Sequence, residues 1–588
     1  MKRQVMTILC SILFLTICLA STANAEPVTQ TITIKPGWNA IFLQVEPVWK
    51  DAATEATFPE NQPTDSQVVF NDLGTDLISA WMWNPQDGTV EFIQNPDTPV
   101  PEEPDMLAYV PGDALATNLH AIHGNHGYLI NYAGATDFIW DVTGEPLPPA
   151  IDWKPNSYNF VGFHLDPAHL PLYEDFFASS PAHAGQTIYI LDAAGNWSSV
   201  GPSESMDHAG EAFWVYCNGS SEFSGPVTVQ LGQGHDLGYG AVLEQQEITI
   251  KNDSAFARTV SLSLADGISA SPVGTVPSPF PLFYWEFDPA NDIARWTQMP
   301  TGTTHDITIE AGASQVLKLG VKRTDMTADT VYTTNLQVDD GKDPRAETLF
   351  KVPVLVTGIS YAGLWVGDAT ISKVNQPAKI VDPGVATSTG SQFSYRLIVH
   401  VDSSGQTSLL NQVIQMWDEQ NSKFVLFADD ALIAYFSGAS LRDGQPVGRR
   451  ISSPAFGNFY DVDNTTLVKF KELTPADTFA TMGGTIGTSL FLPKEDPSNP
   501  FVHKFHPDHP AAAGFDITRA VSLEFSDNDS DGNTILGSTA LGWGSTEIGG
   551  IYRETMSGLL RSDRPINIEG IFVLHRVSNI GTLTTTAP

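Results

Sequence analysis

The chain has 588 residues, and its 67 acidic side chains against 30 basic ones give a net charge of −37. An acidic chain with no basic stripe to neutralise phosphates is excluded from nucleic-acid binding and is repelled by anionic lipid. At roughly 150 residues per domain the length corresponds to about four domains, far more chain than one core can use.

The first 25 residues read as a signal peptide. Lys2 and Arg3 begin it, Val5 to Ala20 is almost wholly apolar, and Ala23-Asn24-Ala25 places small residues where a signal peptidase cuts, before Glu26. The apolar run is too short for a membrane span. Cys18 follows Ile17, where a lipoprotein signal needs a small residue. No later segment has span length, so the expectation is a product without membrane insertion, secreted or periplasmic. Cys10 and Cys18 leave with the signal, which strands Cys217 without an internal disulfide partner. Such a protein must be held by its apolar cores.

The next segments repeat. Trp38-Asn39-Ala40-Ile41-Phe42-Leu43-Gln44-Val45-Glu46-Pro47 matches Tyr158-Asn159-Phe160-Val161-Gly162-Phe163-His164-Leu165-Asp166-Pro167: an aromatic, an Asn, a strand, then an acid and a proline. AWMWNPQDGTV (80–90) is echoed by IYILDAAGNW (188–197), each a strand running into a hairpin turn. HGNHGYLINY (123–132) matches HAGEAFWVYC (208–217). Two β-rich repeat modules are therefore expected, at 26–148 and 149–235. The first carries an insertion at 95–106, and the second a short helix over 170–180.

From 236 to 357, alternating stretches such as QEITIKNDS, RTVSLSLADG and VYTTNLQVDDG predict about seven strands, the pattern of an Ig-like β-sandwich. IEAGASQVLKLGV and the YTTNLQV and FKVPVLV strands resemble the closing strands of bacterial Ig-like domains appended to secreted proteins. Residues 358–588 open with YAGLWVGDATISKV and close with INIEGIFVLHRVS, and predict a larger C-terminal β domain, a sandwich or a barrel. The whole resembles uncharacterised secreted bacterial multidomain β proteins carrying an Ig-like domain, which implies a spacer or adhesive role and no particular reaction. The expected fold class is mainly β.

Four sets of residues could carry chemistry. His503, His506, Asp508 and His509 have the ligand types of a transition-metal site, with three such ligands and a water sufficient for a catalytic zinc. Pro507 and Pro510 equally make the stretch a rigid surface turn. Asp527, Asp529 and Asp531 alternate ahead of Gly532 as in a calcium loop, although Ser538 stands where the bidentate Glu would be. An Asp- and Gly-rich hairpin tip needs no ion. His123, His126 and His208 recur near equivalent repeat strands, which suits a fold role. Most tryptophans sit at alternating strand positions and should be core, while Trp83 and Trp197 lie near turns and could stack on a sugar.

No catalytic residue can be named. The chain has no G-x-S-x-G elbow, phosphate-cradling glycine loop or H-E-x-x-H helix. The reading is an exported, non-catalytic protein that presents binding surfaces to a glycan or a cell-surface protein, with calcium as a possible cofactor. The alternative is a secreted metal-dependent hydrolase centred on the histidine cluster.

Overall fold

A computed structural model describes residues 26–50, 52–84, 106–192, 194–206, 210–265, 275–277, 280–289, 292–324, 326–341, 348–375, 384–436, 440–442, 445–502, 515–559 and 564–588. The chain is nearly all β and divides into two compact units. One runs to Val321 and includes Thr330–Thr357; the other comprises Lys322–Asp329 and Gly358–Pro588.

The first unit begins with β1 (Val28–Ile34), β2 (Gly37–Leu43), β3 (Val45–Glu46), β4 (Leu77–Trp83), β5 (Met106–Tyr109), β6 (His126–Tyr132) and β7 (Phe138–Pro146). It continues with β8 (Ser157–Val161), β9 (Ile188–Leu191), β10 (Trp197–Val200) and β11 (Phe213–Cys217). The strands of the two repeats build sheets of one topology, β2-β6-β4-β5 and β8-β11-β9-β10.

The shared Asn explains part of the shared sequence. Asn39 accepts from the Lys35 amide (2.8 Å) and donates to the Lys35 carbonyl (2.8 Å). Asn159 does the same with Lys154, at 2.7 and 3.1 Å. In both copies one side chain closes the turn that launches the first strand.

Each sheet buries its inner face in its own core. Ile41, Leu43, Tyr128, Ile130 and Trp140 pack together in the first copy. Val161, Phe163, Phe213, Val215 and Cys217 do so in the second, covered by the short helix Tyr173–Phe176 within the stretch where a helix was expected. Cys217 is buried, and its thiol donates to the Gly219 carbonyl at 3.2 Å.

The Ig-like sandwich follows. One sheet orders Val227–Leu231, Gln245–Asn252, Ser314–Val321, Leu282–Asp288 and Ile293–Gln298. The other is built on Leu349–Thr357, Val331–Asp339, Arg258–Ala265 and His305–Ile309. It starts at Val227, ahead of the expected boundary at 236, because Val227–Leu231 pairs with Gln245–Asn252 and extends that sheet. Inside it, Arg258 and Asp340 form a buried ion pair at 2.7 Å.

In the second unit eight strands form one antiparallel sheet. Their order is Phe470–Leu473, Thr407–Leu410, Thr387–Val401, Gly363–Val374, Ile566–Ser578, Glu547–Ser557, Ile517–Phe525 and Thr485–Leu492. Thr474 and Gly487 then exchange two backbone hydrogen bonds of 2.9 Å, joining the last strand to the first. The sheet thus closes into a barrel at that one bridge. Its interior is filled by Trp365, Leu397, Val399, Leu523, Phe525, Tyr552, Phe572 and their neighbours. Glu554 is also buried there, held by Arg519 and by the Tyr552 hydroxyl at 2.8 Å. No helix among the described residues is long and apolar enough to cross a membrane.

Candidate functional site

Strand β11, Phe213-Trp-Val-Tyr-Cys217, is apolar on both faces. Phe213, Val215 and Cys217 point into the second core, so Trp214 and Tyr216 stand on the opposite face. Register places Phe160 beside Trp214 and Tyr158 beside Tyr216, and Tyr189 of β9 on the other side of Trp214. Trp197 of β10 completes the face opposite Leu191.

Part of this face packs on the first copy. Ala40, Phe42, Phe160 and Ala212 are buried together, with Trp83, Leu129, Leu191 and Trp214 against them. The Phe42 amide donates to the Gly210 carbonyl (2.8 Å) and the Ala212 amide to the Ala40 carbonyl (3.2 Å), which fixes the two copies in register.

Trp83 and Trp197, singled out in the sequence, converge on one ring. Trp83 lies 5.6 Å and Trp197 6.2 Å from Trp214, both edge to face. Trp83 is half-buried in the seam, while Trp197 stays 37% exposed. Beyond the seam the face continues as three tyrosines that sequence reasoning missed. Tyr158 is 5.2 Å from Tyr216 and 5.7 Å from Tyr189, again edge to face. Tyr158 is exposed and the other two are half-buried. Burial among the rings, then the adjoining Tyr189 hydroxyl, raises the Tyr158 pKa, so its phenol keeps its proton and can both donate and accept hydrogen bonds. The signal was present in FWVYC and SYNFV: a strand of a half-exposed sheet with aromatics on both faces has a second surface to serve.

The three loop aspartates have separate engagements. Asp527 accepts from the Trp543 indole at 2.7 Å. Asp529 accepts from the backbone amides of Asp531 (2.9 Å) and Asn533 (2.8 Å), and its carboxyl is held low first by the Asn533 side chain. Asp531 faces the Lys373 ammonium at 2.7 Å, which also meets Ser530 at 2.7 Å and Glu569 at 3.0 Å. Among the described residues no group of three or more His, Cys, Asp or Glu side chains is arranged to hold a metal ion.

His503, His506, Asp508 and His509 lie outside the described residues, as does His208. His123 pairs with Glu46 at 2.8 Å, and His126 bonds the Gly124 carbonyl at 2.7 Å. Asp166, the repeat equivalent of Glu46, likewise pairs with a histidine, His169, at 2.6 Å.

No family model and no curated protein matches the chain. Among solved structures it is similar to the ASH/PapD-like domain 7 of human CEP192, at 9% identity over 23% of this chain and 86% of that one, with a TM-score of 0.14. It is similar to the Pseudomonas aeruginosa CupB2 chaperone at 12% identity, over 30% and 95% of the two chains, with a TM-score of 0.16. A protein of unknown function from Bacteroides ovatus shares 10% identity over 59% of this chain and 90% of its own, also at 0.16. Scores this low leave ligand and partner to the geometry of the chain itself.

Proposed function

We propose that this is an exported, non-catalytic binding protein that holds a neutral glycan of a cell surface or matrix on the outer face of its second repeat sheet. The observation that carries the reading is the adjoining set Tyr158, Tyr189 and Tyr216, continued by Trp197, on adjacent strands of one rigid sheet. Aromatic rings cover the apolar faces of a sugar, and phenol hydroxyls meet its hydroxyl groups. An amphipathic ring with a polar tip suits such half-wet contacts. Strands fix the rings in advance, so little ordering entropy opposes binding. The net charge of −37 sets a long-range repulsion against anionic polysaccharides, which favours a neutral one.

The test is native affinity electrophoresis of the full chain in gels containing soluble neutral glucan, xylan or mannan. Wild-type protein is retarded by at least one, and the double variant Tyr189→Ala/Tyr216→Ala migrates as in plain gel with its thermal midpoint little changed. Unhindered migration of the wild type in all three gels, or equal retardation of the double variant, contradicts the reading.

A further inference from the structure

The first repeat carries the same surface in the same register. In the second copy Tyr158 pairs across the strands with Tyr216, and Tyr189 stands opposite Trp214. In the first copy Trp38 pairs with Asn131, and Trp81 stands opposite Leu129. Leu129 and Trp214 hold equivalent positions and both pack on the buried cluster in the seam, and the pairings match residue by residue: Trp38 with Tyr158, Trp81 with Tyr189, Asn131 with Tyr216.

We infer that Trp38, Trp81 and Asn131 form a second neutral-glycan site, which makes the chain bivalent. This rests on the proposed function of the tyrosine face.

Three observations support it. First, the inner-face neighbours of these residues, Tyr128, Ile130 and Ala80, already fill the first core, so the outer rings are surplus to that core. Second, Trp38 and Trp81 are only half-buried, so the seam that covers Ala40 and Phe42 on the same face leaves part of each ring open. Third, both rings are held in place. The Trp81 indole donates to the Ser79 hydroxyl at 2.9 Å, and Trp38 lies so close over the Gly195 turn that a Cβ there would meet its ring at 2.7 Å. Asn131, half-buried, supplies an amide where the other copy has a phenol. Tryptophan in place of tyrosine offers more stacking area and fewer hydroxyl contacts, so the two sites should differ in affinity for one sugar. A polymer that engages both gains avidity beyond either alone, provided it can span them.

Isothermal titration of the full chain with cellohexaose, xylohexaose and mannohexaose tests this. At least one hexaose should fill two sites per chain. Trp81→Ala and Tyr189→Ala/Tyr216→Ala should each leave one site, and the triple variant none. Asn131→Ala, which removes no ring, should weaken only the site that Trp81→Ala abolishes, and so guards against a folding defect in the tryptophan variant. One site in the wild type, unaffected by Trp81→Ala and Asn131→Ala, overturns bivalency and leaves the tyrosine site standing. Failure of all three hexaoses to bind overturns both readings.

Discussion

At the scale of single residues, the acidic loop 526–534 shows how a local pattern can omit its partner. Alternating aspartates before a glycine were legible; the Lys373 ammonium that faces them comes from a strand more than 150 residues earlier. No spacing rule reaches a neighbour supplied by the sheet. Asp531, Glu569 and Ser530 converge on that ammonium, and Asp531 raises its pKa while burial opposes. Lys373→Met removes the ammonium from Asp531, while Glu569 keeps the Arg553 guanidinium at 3.1 Å. It should lower stability by about 1 kcal/mol, a cost reduced by added salt, because Asp531 is solvent-exposed. Urea unfolding at two ionic strengths measures this, and a variant as stable as wild type at low salt contradicts it. Glu145 supplies a second residue-scale prediction. It sits directly opposite Glu46 in the β3–β7 pair, and burial, then Asp236 and Glu46, pushes its pKa up to about 7. The folded chain therefore holds a proton that the unfolded chain has lost between about pH 4.5 and 7, so stability falls as pH rises through that window and levels off above it. Glu145→Gln should flatten that slope and stabilise the protein at pH 8 by about 1 to 2 kcal/mol, after discounting for solvent screening. Thermal midpoints from pH 4.5 to 8 give the answer; parallel curves for variant and wild type refute it.

At the scale of elements, the repeat was legible because it is written in local chemistry. An Asn closes the turn before the first strand, and an acid and a proline follow it in both copies. What joins the copies was not legible. Gly162 lies where a Cβ would stand 2.4 Å from Phe42 and 2.8 Å from the Glu211 carbonyl, so only a hydrogen there lets the two sheets meet. In the sequence it reads as one more glycine in a strand. Gly162→Val should destabilise the first unit by about 2 kcal/mol or more, with the loss seen as early exposure of Trp214 in fluorescence-monitored unfolding. An unchanged midpoint would show that the seam can give way. Barrel closure escaped the sequence for a related reason: it depends on one pairing, Thr474 with Gly487, and strand patterns do not say which edges meet. The charged pair inside that barrel is equally non-local. Glu554→Gln leaves Arg519 buried beside a neutral amide, and the expected cost is about 3 kcal/mol in chemical denaturation. A loss below about 1 kcal/mol would contradict an interior ion pair of that weight.

At the scale of the whole molecule, the proposed class of partner follows from charge and composition, and the proposed way it is met from the duplicated sheet. An acidic exterior keeps the chain soluble and turns away polyanions. Aromatic residues are clustered on the outer faces of the two repeat sheets, where the copies meet and then expose their remaining rings. Duplication supplies two related faces; differences at positions 38, 81 and 131 against 158, 189 and 216 let them diverge. The account stands on recognition without cleavage. Its most direct test is to equilibrate the full chain with each neutral hexaose, separate bound from free sugar, and size both fractions by chromatography. The account predicts a saturable bound fraction for at least one hexaose, released on dilution with its chain length intact. Shorter products accumulating with time, or no bound fraction for any of the three, would contradict it.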